Sequence, residues 1–124
     1  MKMSEIVLYE DGNIALDTTV QGETIWLNQK QISILFDVNV PAVSKHLKNI
    51  FNSGELQEVA TISKMETVQK EGKREIKRSV DHYNLDAIIS IGYRVNSKKA
   101  TQFRIWATNV LKDHIVQGYT INKE

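Results

Sequence analysis

Hydrophobic positions along this chain change their period three times. Ile6 to Glu10 and Ile14 to Val20 are short apolar-rich runs separated by Asp11-Gly12-Asn13, and Asp-Gly between such runs predicts a β-hairpin. Glu23 to Leu27, after Gly22, adds a third extended piece. From Asn28 the spacing becomes helical, with apolar Ile32, Leu35 and Phe36 behind polar Gln29, Lys30 and Gln31 and with Asn28 placed as the cap. Asp37-Val38-Asn39 interrupts that pattern, which resumes at Val43, Leu47, Ile50 and Phe51. Asn39 predicts the second N-cap, and Pro41 is tolerated in a first turn because its missing N–H would have had no helical partner.

Strand-like residues return from about Val59 to Val68 and from Glu75 to Tyr83, with Lys70-Glu71-Gly72-Lys73 as the turn between them. Asn84 predicts the cap of a helix over Leu85 to Ile91, ended by Gly92. A longer helix follows, capped by Ser97 and stopped by Gly118. Its apolar stripe is Phe103, Trp106, Ala107, Val110, Leu111 and Ile115. The elements predict one α+β domain over residues 1–124: an N-terminal hairpin, a helix-turn-helix over about 28–51, a wing-like hairpin over about 59–83, and C-terminal helices over about 85–117.

The helix-turn-helix expectation rests on spacing. Ile32, Leu35, Val38, Val43 and Leu47 are placed to lock two helices together, which leaves Val40, Pro41, Ser44, Lys45 and Lys48 on the outer face of the second helix. Lys45 has the chemistry to donate to guanine O6 and N7, Ser44 to a base or a phosphate, and Val40 and Pro41 to contact a thymine methyl. Gln29 and Lys30, at the start of the first helix, suit phosphate contact. In the second hairpin Lys70, Lys73, Arg74, Lys77 and Arg78 form a basic cluster diluted by Glu71 and Glu75, readable as a phosphate-contacting wing or as a solvated turn.

The pattern has two departures. Asp37 takes the turn position that usually holds glycine, and Val40 and Pro41 offer no side-chain hydrogen bond to a base.

Charge sharpens the picture once it is divided along the chain. The formal net charge is +1, but residues 1–27 carry one lysine against five acids, 28–80 nine bases against six acids, and 81–124 six bases against four. No apolar run reaches bilayer length and the first nine residues lack a signal-peptide pattern, so a cytoplasmic protein with no membrane partner is expected. With no cysteine, disulfides and thiolate metal sites are excluded.

His46, His82 and His114 are widely spaced, no carboxylate pair or phosphate-cradling glycine loop occurs, and no metal, cofactor, small-molecule substrate or catalysis is expected. Arg94 next to Asn96-Ser97 reads as a partner for a nearby acid beside turn and cap residues, with an anion-holding loop as the alternative.

Several stretches resemble the virulence-associated RhuM family. They are Trp26 to Ile32, Val43 to Leu47, Asn49-Ile50-Phe51, Gly54-Glu55-Leu56, Tyr83 to Asp86, Gly92 to Ser97, and Gln102 to Thr108 followed by Val110-Leu111. Phe103 to Trp106 with Val110-Leu111 is also similar to phage antirepressor N-terminal domains. The resemblance implies regulation rather than catalysis, and a parent chain that continues past this one, in some members into a death-on-curing-type domain. From the helix-turn-helix itself the expected partner is double-stranded DNA, and because one short recognition helix offers few base contacts, a homodimer is a candidate arrangement with the helix Lys98 to Gln117 as its candidate interface. The alternative is a winged-helix module that binds a protein instead.

Overall fold

The computed structural model describes residues 4–122, without the side chains of residue 69 and residues 115–122. Its elements run β1 (Ser4–Asp11), β2 (Ile14–Gln21), β3 (Thr24–Asn28), α1 (Gln29–Phe36), α2 (Val40–Asn52), α3 (Glu58–Thr61), β4 (Ile62–Glu71), β5 (Arg74–Tyr83), α4 (Leu85–Val95) and α5 (Ser97–Asn122). The chain is therefore α+β, as its pattern predicts. One five-stranded antiparallel sheet, in the order β1-β2-β3-β5-β4, packs one face against α1, α2, α4 and α5.

The register explains which residues reach that face. Directly opposed residues share a face. The pairs Val7–Thr18, Tyr9–Leu16, Val20–Ile25 and Leu27–Tyr83 accordingly turn together toward the helices. There they meet Ile32, Leu35 and Phe36 of α1, Val43, Leu47 and Ile50 of α2, Ala87, Ile88 and Ile91 of α4, and Ala100, Phe103 and Ala107 of α5. Thr18 is buried among them and donates its hydroxyl to the Val7 carbonyl at 2.7 Å, so its burial leaves no orphan donor. Tyr9 meets Phe103 and Trp106 edge-on, at centroid distances of 5.0 and 4.8 Å, which pins α5 against the first hairpin. Burial, and then the charge of Asp11, push the Tyr9 phenol above its ordinary value.

The two hairpins join through only two residue pairs, Leu27–Tyr83 and Asn28–His82. Beyond this junction β4 and β5 project as a two-stranded ribbon. A cleft of about 940 Å³ opens between the hairpins, lined by Asp17, Thr19, Asn28, Ser63, Met65 and His82 among others.

Five boundaries differ from expectation. Residues 58–61 form a helical turn rather than the start of a strand, with the Thr61 hydroxyl donating to the Gln57 carbonyl at 2.7 Å. The turn of the second hairpin is two residues, Gly72-Lys73. Gly72 takes φ +64°, the glycine-first geometry that matches strand twist.

Gly92 does not end α4, which continues to Val95. A Cβ there would lie 2.5 Å from Phe36 Cζ and 2.7 Å from Ala100 Cβ, so the glycine permits close packing inside the helix. Asn96 rather than Ser97 caps α5, its Oδ1 accepting from the Lys99 N–H at 3.1 Å. α5 also runs past Gly118 to Asn122, and Ile115 of the predicted stripe lies outside the described side chains.

Candidate nucleic-acid interface

The α1–α2 pair is built from local signals that agree with one another. Asn28 and Gln31 form a reciprocal capping box at the start of α1: Asn28 Oδ1 accepts from the Gln31 N–H at 2.8 Å, and Gln31 Oε1 from the Asn28 N–H at 3.0 Å. Asp37 ends α1 in the left-handed region at φ 56°, and the Val38 N–H returns to the Ser33 carbonyl at 3.0 Å. Asn39 then starts α2 by accepting from the Ala42 N–H at 2.8 Å, with Pro41 in the first turn. The chain turns between helices in three residues, Asp37 to Asn39.

Val43, Leu47 and Ile50 of α2 are buried, so the helical repeat fixes what faces outward. Pro41, Lys45 and Lys48 are exposed along the opposite stripe, Ser44 is half-buried on its flank, and Val40 is 40% exposed nearer the core side. Asn52, one turn beyond Lys48, continues the stripe, and Asn49 is exposed beside it. Both carry amides able to donate and accept. The same periodicity that selected Lys45 and Lys48 reaches Asn52 when extended by one turn.

At the start of α1, Lys30 is exposed. Gln29 is half-buried and donates through Nε2 to the Tyr83 hydroxyl at 3.0 Å, which ties α1 to the base of the ribbon.

The register divides the ribbon's cations. Lys70 and Lys77 share the face of Tyr83 and Ile62, where Lys70 stands opposite Glu75. Arg74 and Arg78 lie on the other face, and Arg78 pairs with Glu71 at 2.8 Å. Lys73 occupies the turn. The five cations expected as one cluster are therefore distributed over two faces and a tip, and each face also carries acid.

Arg94 pairs with Glu55 at 2.6 Å and also donates to Ser90, whose hydroxyl donates to Glu55. The hydrogen bond from Arg94, and then that from Ser90, hold the Glu55 carboxyl below its ordinary value. The group fastens the segment after α2 to α4, in agreement with the ion-pair reading. His82 is buried, its Nδ1 2.9 Å from the Val80 carbonyl, and His46 is half-buried on α2. Among the described residues no three His, Asp or Glu side chains converge as a metal site, and no helix is long and apolar enough to cross a membrane. None of the outward residues of α2 lines the cleft between the hairpins.

A family model described as the virulence protein RhuM family matches residues 60–124, just over half of the chain. The chain belongs to the RhuM family. The matched segment contains the ribbon, α4 and α5, and with them the Tyr83 to Asp86, Gly92 to Ser97 and Gln102 to Thr108 motifs. In this RhuM member the α1–α2 pair precedes the matched residues. No curated protein and no solved structure matches the chain.

Proposed function

We propose that this RhuM-family chain is a winged-helix-like DNA-binding module with a regulatory rather than catalytic role. α1 and α2 are its helix-turn-helix, and α2 is the element offered to the major groove. The observation that carries the reading is the pairing of a fully anchored inner face on α2 with an outer stripe of Pro41, Lys45, Lys48 and Asn52. Lys45 is the base-reading candidate. Lys30, Lys48 and the ribbon's Lys70, Lys73, Arg74 and Lys77 are candidates for phosphate contact, and Ser44 serves either purpose. Arg78, held by Glu71, contributes least, and Gln29 acts by positioning α1 against Tyr83.

The test is a salt titration of binding to mixed duplex DNA. Binding should weaken steeply with salt, with a log–log slope of roughly 0.9 per phosphate contact. Lys73→Ala with Arg74→Ala should lower that slope by about two contacts' worth, alike for all sequences. Lys45→Ala should cost about 1–3 kcal/mol and relax sequence preference. Absence of binding at low salt, or identical behaviour of parent and both variants, would overturn the assignment.

A second reading, docking of a protein partner, is favoured by one feature: Ile34, Val40 and Pro41, on either side of the α1–α2 turn, are all apolar and exposed. A partner held there binds with little salt dependence and is lost on Val40→Asp.

A further inference from the structure

β4 is an edge of the sheet, and its backbone alternation can be read from two observations. Glu71 and Arg74 close the two-residue turn, and such a flanking pair exchanges hydrogen bonds. At the other end the Asn84 N–H donates to the Thr61 carbonyl at 3.1 Å, in the same alternation. Residues 63, 65, 67 and 69 therefore bond to β5, while the N–H and C=O groups of Ile62, Lys64, Glu66 and Val68 point off the edge. The edge is guarded only by charge, from Lys64, Glu66 and Lys70: Val68 is 59% exposed, and no proline or bulge interrupts residues 62–71.

We infer that β4 pairs antiparallel with β4 of a second copy of this chain about a twofold axis at Met65, making one continuous ten-stranded sheet. The sequence of the edge selects this register. Centring on Glu66 would oppose Glu66 to itself, and centring on Thr67 would oppose Lys64 to Lys70. Centring on Val68 pairs Glu66 with Lys70 but leaves Ile62 without a partner strand.

Centring on Met65 opposes Lys64 to Glu66 twice and Ile62 to Val68 twice. These are the hydrogen-bonded pairs that the outward-pointing backbone groups require. Lys64, already 3.3 Å from Asp81, would then lie between two carboxylates. On the opposite face Ser63 comes against Thr67. The Thr67 hydroxyl is the one buried side-chain polar atom without a hydrogen-bond partner among the described residues, and this pairing sets a serine hydroxyl opposite it. A symmetric pairing of this kind is isologous and closes on itself, so it stops at two copies.

The chain has no cysteine, which makes the register directly testable. Residues facing each other across the axis as a non-hydrogen-bonded pair have Cα atoms about 4.5 Å apart, inside the disulfide range of roughly 4.4–6.8 Å. Met65→Cys should therefore form a covalent dimer on mild oxidation, several-fold more completely than Val68→Cys, which marks the competing register. By sedimentation, the parent should be dimeric at tens of micromolar. Lys64→Glu should shift it to monomer, Lys64→Glu with Glu66→Lys should restore the dimer, and Lys70→Glu should leave it unchanged, with circular dichroism verifying that each variant is folded.

A parent that stays monomeric up to hundreds of micromolar overturns the pairing, as does preferential cross-linking through Val68→Cys or a dimer indifferent to Lys64→Glu. Duplex binding is read separately. A DNA-binding monomer overturns this inference alone, whereas a dimer cross-linked at residue 65 that ignores DNA supports it and overturns only the DNA assignment.

Discussion

The α1–α2 unit and the β4–β5 ribbon both carry candidate phosphate contacts, yet they are held in place by different physics. α2 is anchored by Val43, Leu47 and Ile50, with little or no exposure, and α1 by Ile32, Leu35 and Phe36. Among the described residues, the ribbon's outer part, residues 64–71 and 74–81, contributes nothing to the core. It is held by its own ladder and by the exposed ion pairs Lys64–Asp81 and Arg78–Glu71, which contribute little individually. Substitutions at the buried positions of the first region therefore report on folding before they report on binding. Substitutions in the ribbon report on binding almost alone.

The largest expected effect lies at the center of the anchored region. Phe36 touches α4 at Gly92 as well as the sheet, and Phe36→Ala should cost about 3–5 kcal/mol by denaturant unfolding. Gly92→Ala attacks the same contact from the other side, and forcing Phe36 or Ala100 to move should cost about 1–3 kcal/mol. Asn39→Ala removes the cap of α2 and should cost about 1 kcal/mol, with parallel changes in thermal and chemical midpoints.

The ribbon supplies the contrast. Lys73→Ala with Arg74→Ala should change stability by no more than about 0.5 kcal/mol while lowering the salt slope of DNA binding. A ribbon change as costly as loss of the Asn39 cap would break the comparison, because it would mean that the ribbon's outer part is packed.

The smallest effect depends on pH. Glu55 is held below its ordinary value of 4.5 by Arg94 and Ser90, so the folded state favours its ionised form. Its contribution is present above that value and is lost as pH falls through the lowered one. The stability gap between the parent and Glu55→Gln should thus be small at neutral pH and vanish in acid. A gap that widened on acidification would contradict the assigned interaction.

Local signals made the anchored region legible. Asn28 and Asn39 as caps, Asp37 in the turn and the apolar spacing of both helices are all properties of neighbours in sequence, and each holds in the structure. What was not legible depends on contacts or parity that neighbours do not carry. Gly92 resembles a helix stop because its reason for being glycine, Phe36, lies far away in the chain. Asn96 and Ser97 are both competent caps, and only the backbone decides between them.

Val59 and Thr61 have strand-favouring side chains but form a helical turn, with Val59 95% exposed and unable to reward a strand by burial. In the ribbon, reading four turn residues instead of two hides the register. Without the register, the division of Lys70 and Lys77 from Arg74 and Arg78 cannot be seen.

The two-pair junction at Leu27–Tyr83 and Asn28–His82 also has a consequence in time. A ribbon joined to the rest of the sheet over so short a seam can open without disturbing the buried cluster, so it should behave as its own cooperative unit. In native-state hydrogen exchange, amides of α1, α2 and α4 would exchange together through global unfolding. Those of the ribbon would exchange sooner, in a gradient from Lys73 inward, and a ligand or second copy that grips the ribbon would erase the gradient.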